Sequence, residues 1–242
     1  MAFIHDYQGS SFVGLLRSEF PELVPRLDAA GGDVPLVHGT TICGLKFRDG
    51  VLLGGDRRAT LNGHVVMNED VTKVYKVDDL SAMGIAGTFG PSVKMVRLFQ
   101  VELEHYEKIE GVPLTLDGKA NKLSLMSEQN FPAAVQGLMV MPLYAGWDPI
   151  DGQAKIYEYD ITGGIFSMSK NEPYACSGSG GDRARTTFEH FWKEGMPRDE
   201  ALVLMEKALL FAAKRDTATG SQGHIIMSVG AAGVEPLRGD EA

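Results

Sequence analysis

The sequence is poor in cysteine. Cys43 and Cys176 are the only two in 242 residues, which excludes a disulfide framework and a zinc site built from four thiolates. No apolar run approaches the ~18 residues that a membrane-spanning helix needs. Positive charge is in deficit, with 23 Lys plus Arg against 32 Asp plus Glu and a net charge of −9. So acidic a chain suits neither nucleic acid nor an anionic membrane surface. The opening M-A-F-I-H-D-Y-Q-G-S lacks the basic run of a signal peptide, and the acidic residues after it do not suit a transit peptide. A cytoplasmic location is therefore expected. Glycine is plentiful, at 29 residues, yet the phosphate-binding patterns are missing. The run G-S-G-G-D-R from Gly178 lacks the G-K-[ST] ending of a phosphate loop, and no G-x-G-x-x-G follows a strand and opens a helix. Ser179 is not in a G-x-S-x-G elbow, because position 177 is Ser. There is no H-E-x-x-H, and the six His are scattered. Neither a metal nor a cofactor is expected.

What is present suffices for a sizeable core, as one large domain or two small ones: 44% of the residues are hydrophobic and 23% charged. Residues 1–39 differ from the rest. A short helix is expected over 11–20, with Phe12, Leu15, Leu16 and Phe20 near one face, limited by Pro21 and Pro25. Residues 28–35 read as a linker. Two readings of this segment stay open: a tail without fixed structure, or a segment with a temporary job that is later removed.

A dense β region follows. A strand over 41–47, a turn at Arg48-Asp49-Gly50 and a return strand over 51–55 form a hairpin signal, and short strands are expected over 65–67, 72–77 and 80–86. Over 91–109 the period changes. Val96, Phe99, Leu103 and Tyr106 recur at helical spacing, with Gly111 and Pro113 just past the end. A second helix is expected over 117–136, interrupted near Pro132. Strands over 137–146 and 154–160 come next, then a Gly163-Gly164 turn into a strand over 165–169. Helices over 183–193 and 199–214 and a closing strand over 224–229 complete the chain. Strands and helices fall in blocks, which predicts an α+β fold of antiparallel sheets stacked face to face and covered by helices. Gly44, inside a strand, marks a bulge or close packing. Cys43 lacks a His partner at motif level and reads as a buried reduced thiol.

The chemistry centres on His38-Gly39-Thr40-Thr41, where linker meets strand. A threonine hydroxyl is a weak nucleophile and needs a base. An N-terminal threonine carries its own, since an α-amine has a pKa near ~7.7–8.0. For Thr40 that amine exists only after residues 1–39 leave, so processing and catalysis are linked. Gly39 lacks Cβ and lets the backbone turn tightly enough to present its carbonyl to the Thr40 hydroxyl. Asp56 ends the second strand and Lys73 lies farther on. An ammonium near the Thr40 oxygen favours the alkoxide, and a carboxylate keeps that ammonium charged and in place. Alone, such a pair is usually an ordinary ion bridge.

The run T-T-I-C-G-L-K-F-x-x-G-V-L-L-G-G-D-R-R-A-T from Thr40 resembles the mature start of a proteasome β subunit. Lys73, G-I-A-G-T at 84–88, S-G-S-G at 177–180 and R-D-T-A-T-G at 215–220 continue the likeness. V-E-L-E-H-Y-E-K-I-E-G-V-P-L-T at 101–115 is similar to the actinobacterial type of bacterial 20S proteasome, and F-V-G-L-L-R-S-E-F-P-E-L-V-P at 12–25 to that group's propeptide. The resemblance implies the N-terminal nucleophile hydrolase fold, an α-β-β-α sandwich. It implies residues 1–39 as a propeptide removed on maturation and 40–242 as the catalytic domain. It implies Thr40 as nucleophile, Gly39 before the cut, and Asp56 and Lys73 as the acid–lysine pair. By the same likeness Gly87 supplies the oxyanion-hole N–H, and Ser179 contacts the Thr40 amine. Asp216 and Thr219 support that network, and the backbone of Thr60 pairs with an extended substrate. Ala59, Val71, Ile85 and Phe89 match the first specificity pocket, and their apolar character implies cleavage after hydrophobic residues.

Three departures stand out. One extra residue lies between Asp56 and Lys73, near Asn62-Gly63-His64, and would enlarge the turn beside the cleft. C-S-G-S-G-G-D replaces a more usual apolar-G-S-G, and Thr219 stands where many relatives have Ser. The partners implied are a homo-heptameric β ring stacked on a second β ring, capping rings of a separate α subunit, a ring-shaped unfoldase ATPase acting through the α ring, and unfolded protein substrates. A non-hydrolytic structural β subunit and a small-amide N-terminal nucleophile amidase are the alternative readings.

Overall fold

The computed structural model describes residues 37–61, 63, 65–166 and 172–239. The helix expected over 11–20 and the greater part of the strand expected over 165–169 lie outside them. The first hairpin forms where the sequence places it. Strands β2 (Thr41–Phe47) and β3 (Gly50–Gly55) pair antiparallel from Phe47↔Gly50 to Ile42↔Gly55 across the Arg48-Asp49 turn. Every residue of β3 is buried. A strand covered on both faces needs an unbroken apolar run rather than an alternating one.

Five strands make the first sheet, in the order β10 (Tyr174–Gly178), β2, β3, β11 (Ile225–Gly230), β12 (Gly233–Arg238). The second sheet runs β6 (Val74–Asp78), β7 (Ser81–Gly87), β8 (Val140–Asp148), β9 (Gln153–Glu158). All their pairings are antiparallel. Four helices stand among the described residues: α1 (Phe89–Glu110), α2 (Leu116–Ala134), α3 (Gly181–Phe191) and α4 (Arg198–Ala213).

The pleat sorts side chains into three apolar layers. Ile42, Val51, Leu53, Leu143 and Ile156 meet between the sheets. Cys43, Leu45, Leu52 and Cys176 point the other way, onto Phe188 of α3 and Met205 and Leu209 of α4. Phe99 of α1 and Leu123 of α2 pack on Tyr144 and Tyr157 of the second sheet. Each such large side chain stabilises the fold by roughly 1.5–3 kcal/mol relative to exposure. The result is the expected α-β-β-α sandwich.

Several expectations need correction. The chain does not close on the strand over 224–229, because β12 adds an outer strand after it. Strand β10 and a third, small sheet were not foreseen. That sheet has the order β1 (Val37–His38), β4 (Ala59–Leu61), β5 (Val65–Asn68). Pro132 does not interrupt α2. It sits in the last turn, where few backbone bonds remain to be lost. The strand expected over 154–160 stops at Glu158, and beyond it only a Tyr159↔Ile165 bridge brackets the Gly163 turn among the described residues. Gly44 marks close packing and not a bulge. Its ladders run without a shift, and a Cβ there would lie 3.2 Å from Ile156 of the facing sheet.

Candidate active site

Thr40 sits immediately before β2, at the end of the sandwich where β10 also ends. Its side chain is nearly buried, and Oγ1 donates to the carbonyl oxygen of Gly39, 2.5 Å away. Gly39 has φ +121°, a conformation that glycine adopts without steric cost. The backbone N–H of Thr40 points at Ser179 Oγ, at 3.5 Å. Ser179 follows β10, whose last residue, Gly178, is the register partner of Thr41. Ladder pairing therefore brings residues 40 and 179 together.

Lys73 directs its three ammonium protons at three oxygens: Gly39 O at 2.9 Å, Asp56 Oδ1 at 2.9 Å and Arg58 O at 2.5 Å. Asp56 is fully buried. Its Oδ1 also accepts from the N–H of Thr41 at 2.8 Å, and its Oδ2 from the N–H groups of Arg58 at 2.9 Å and Gly220 at 2.8 Å. Four donors compensate the desolvated carboxylate. Burial pushes the Lys73 ammonium below the usual lysine range, and the Asp56 charge and hydrogen bond oppose that shift.

Behind Ser179 lies a hydroxyl chain. Ser179 Oγ and Thr219 Oγ1 donate to Asp216 Oδ2 at 2.6 Å and 2.5 Å. The Thr219 proton being so used, Thr41 Oγ1 is the donor in its 2.6 Å contact with Thr219. Gly180 leaves room for this chain, since a Cβ there would meet Thr41 Oγ1 at 2.2 Å.

A small cavity beside Thr40, of ≈ 10 Å³, is lined by Gly39, Ala59, Lys73, Ile85, Ala86, Gly87, Phe89 and Ser92. That is about the space one water centre occupies. Gly87, at φ +107°, ends β7 here, and a Cβ on it would lie 2.2 Å from the Met139 carbonyl oxygen. A larger cavity, ≈ 650 Å³, is lined by Lys46, Phe47, Trp147 and Trp192 at the other end of β2. It holds none of the groups above.

The structure thus gathers Gly39, Thr40, Asp56, Lys73, Ser179, Asp216 and Thr219 in one network, with Ala59, Ile85, Gly87 and Phe89 at its cavity. Val71 does not line that cavity, although it is buried. Thr60 is buried under Gly39, and its Oγ1 would lie 2.5 Å from a Cβ placed there. In the β ladder Thr60 pairs with His38. Of the turn thought to be enlarged, Gly63 alone is described, with φ +74°, and its carbonyl accepts from Thr217 Oγ1. Sequence reading missed Thr41, whose signal was the Thr40-Thr41 doublet, and the backbone of Arg58 and Gly220. Ser92 and Ala86 carried no signal. No group of three or more His, Cys, Asp or Glu among the described residues could hold a metal ion.

A family model described as Proteasome subunit matches residues 36–227. The chain belongs to the proteasome subunit family. Similar proteins include β subunits. "Proteasome subunit beta" of Acidimicrobium ferrooxidans is 45% identical over 218 residues, 89% of this chain and 77% of that protein. The protein of the same name from Streptomyces griseus is 45% identical over 87% of this chain and 75% of its own length, and that of Rhodococcus erythropolis 47% identical over the same shares. Family membership makes this a β subunit of a proteasome, with the peptidase role of that assembly in general, and the sandwich is that family's N-terminal nucleophile hydrolase fold. No helix among the described residues is long and apolar enough to cross a membrane.

Proposed function

We propose that this chain is a threonine endopeptidase, made as a zymogen and activated by cutting its own Gly39–Thr40 bond. One observation carries the reading: Thr40 Oγ1 and Lys73 Nζ converge on a single carbonyl oxygen, that of Gly39. Attack by Oγ1 on the Gly39 carbonyl carbon forms a C–O bond. The C–N bond then breaks, and the hydroxyl proton ends on the nitrogen that becomes the Thr40 amine. Water hydrolyses the resulting ester, returning the hydroxyl to Thr40 and a carboxyl to Gly39. Lys73 places positive charge where the oxyanion develops.

The freed amine then serves as base for the same hydroxyl on substrates. Ser179, held by Asp216, stands beside it, and Gly87 is the candidate oxyanion donor. Before cleavage Val37–His38 lie as a strand on β4, the edge along which an extended substrate would run. The propeptide therefore blocks the amine and the cleft together. Ala59, Ile85 and Phe89 make the adjoining pocket apolar, which favours hydrophobic residues before the cut. Intact Thr40, Asp56, Lys73, Ser179 and Asp216 disfavour a purely structural subunit. The working form in this reading is cytoplasmic. It consists of heptameric β rings stacked face to face and capped by α-subunit rings, and a ring-shaped ATPase feeds it unfolded chains.

The test is Thr40→Ala, co-expressed with an α subunit. Intact mass should show residues 1–39 retained, and hydrolysis of peptides ending in Leu, Phe or Tyr should vanish. Wild type should cut these faster than peptides ending in Asp or Lys. Complete processing of the variant without wild-type chains would sink self-cleavage.

A further inference from the structure

Cys43 and Cys176, the two cysteines of the chain, take no part in the network around Thr40. They face each other across the β2–β10 ladder. Antiparallel ladders alternate between residue pairs that exchange backbone hydrogen bonds and pairs that do not, and the second kind brings Cα atoms to ~4.5 Å and side chains closer. The N–H of Lys46 donates to the carbonyl of Pro173 at 2.7 Å, so that pair is of the bonded kind. The register then continues without a shift from Leu45↔Tyr174 to Thr41↔Gly178. Cys43↔Cys176 lies an odd number of steps along and is of the non-bonded kind. A disulfide spans Cα separations of ~4.4–6.8 Å, so strand geometry alone places the pair within bonding range. Both side chains point to the same face, among Leu45, Phe188 and Met205. Both are buried and free of any disulfide in this structure.

We propose that Cys43 and Cys176 are an oxidation site, closed by a hydroperoxide into a cross-strand disulfide and reopened by a dithiol. Cys176 reacts first. It is 5% exposed against 0% for Cys43, and β10 is the outermost strand of its sheet, so opening that edge alone bares it. Burial and the neighbouring thiol push the Cys43 pKa up, which slows its own attack on a peroxide. The Cys176 thiolate attacks a peroxide oxygen, the O–O bond breaks, and a sulfenic acid and hydroxide form. The Cys43 sulfur then displaces hydroxide from that sulfenic sulfur, forming the S–S bond. Two thiols have lost two electrons and two protons, and hydrogen peroxide has become two waters. In a reducing compartment such a pair works transiently, as a sensor rather than as permanent reinforcement.

Its position gives the bond a consequence. It would tie β2 three residues after Thr40 to β10 three residues before Ser179, pinning the two strand ends that meet at the 3.5 Å contact. It would also close a long loop in the unfolded chain, which raises stability.

The experiment treats the full chain with hydrogen peroxide and maps its peptides without reduction. A linked Cys43–Cys176 peptide is expected, lighter by two hydrogen atoms than the sum of the reduced ones. The melting temperature should rise by several degrees and dithiothreitol should reverse both changes, while Cys176→Ala shows neither. Oxidation of Met67, 59% exposed, reports that peroxide reached the protein. If Met67 is oxidised while both cysteines remain alkylatable after denaturation, or if Cys176 accumulates as a sulfinic acid beside a free Cys43, the proposal fails. These readouts need no peptide hydrolysis, so they stand or fall separately from the protease reading.

Discussion

At the residue scale Thr40 depends on Lys73 in the proposed reading. Replacing it by alanine leaves Asp56 with three backbone donors, Thr41, Arg58 and Gly220, so the carboxylate stays compensated and the fold should persist. Lost with the ammonium is the charge beside the Gly39 oxygen and the Thr40 hydroxyl. Lys73→Ala should lower kcat by at least about 10²–10³-fold with an unchanged circular dichroism spectrum, and a kcat within a few-fold of wild type would exclude the role. The wild-type pH profile follows from the same groups. The base must be unprotonated, so the rate rises through the amine pKa, ~7.7–8.0 when unperturbed. Lys73 must stay charged, so the rate falls as it deprotonates, and burial moves that falling limb below the ordinary lysine range. A kcat/KM that climbs without a fall into strongly alkaline solution would contradict this assignment. Thr40, Asp56 and Lys73 were legible in the sequence because their chemistry is distinctive. Ser92 and Ala86 were not, being small residues that line a wall by position alone. Val71, expected beside Ile85, is buried, its N–H donates to the Arg57 carbonyl at 3.0 Å, and it stands outside the lining of the small cavity beside Thr40.

Among the elements, the junction of β1, β4 and β2 would set where the chain is cut in the proposed reading. Gly39 bridges the strand on β4 and the start of β2. A Cβ on it would meet Ala218 Cβ and Thr60 Oγ1, both at 2.5 Å, at a φ that L side chains rarely adopt. Gly39→Ala should therefore leave most chains uncut, read as the full precursor mass after assembly, whereas processing at the wild-type rate would show that the tight turn is dispensable. The helices and the β2–β3 hairpin were readable because their periods, 3.6 and 2, are carried by large apolar residues. Strand β4 is three residues long and follows Arg57-Arg58, too short to show a period. Strand β10, Tyr-Ala-Cys-Ser-Gly, is small and polar toward its end because it hands Ser179 to the site. Strand β12 contains Pro236 and buries none of its residues fully, as an outer strand permits, so no alternation betrays it.

The whole molecule carries an outward face that a lone acidic subunit does not explain. Leu98 and Val101 on α1 and Leu125 on α2 are more than half exposed, and Leu98 flanks a groove with Pro91, Met95 and Met126. Exposed apolar side chains one turn apart on a helix, as Leu98 and Val101 are, suit a contact with another chain. In a ring of subunits the contact excludes water, and a carboxylate placed there would be desolvated without a partner. It would also add to a chain already at −9. The double variant Leu98→Glu, Val101→Glu should keep its helix content, since both side chains face away from the core that holds Phe99. Its native mass should fall from that of the assembled particle to that of small species. If cleavage of the Gly39–Thr40 bond waits for ring assembly, the variant chain should also keep residues 1–39, read as intact mass. A full-sized particle of correctly processed chains would show that this face of α1 lies outside the subunit contacts.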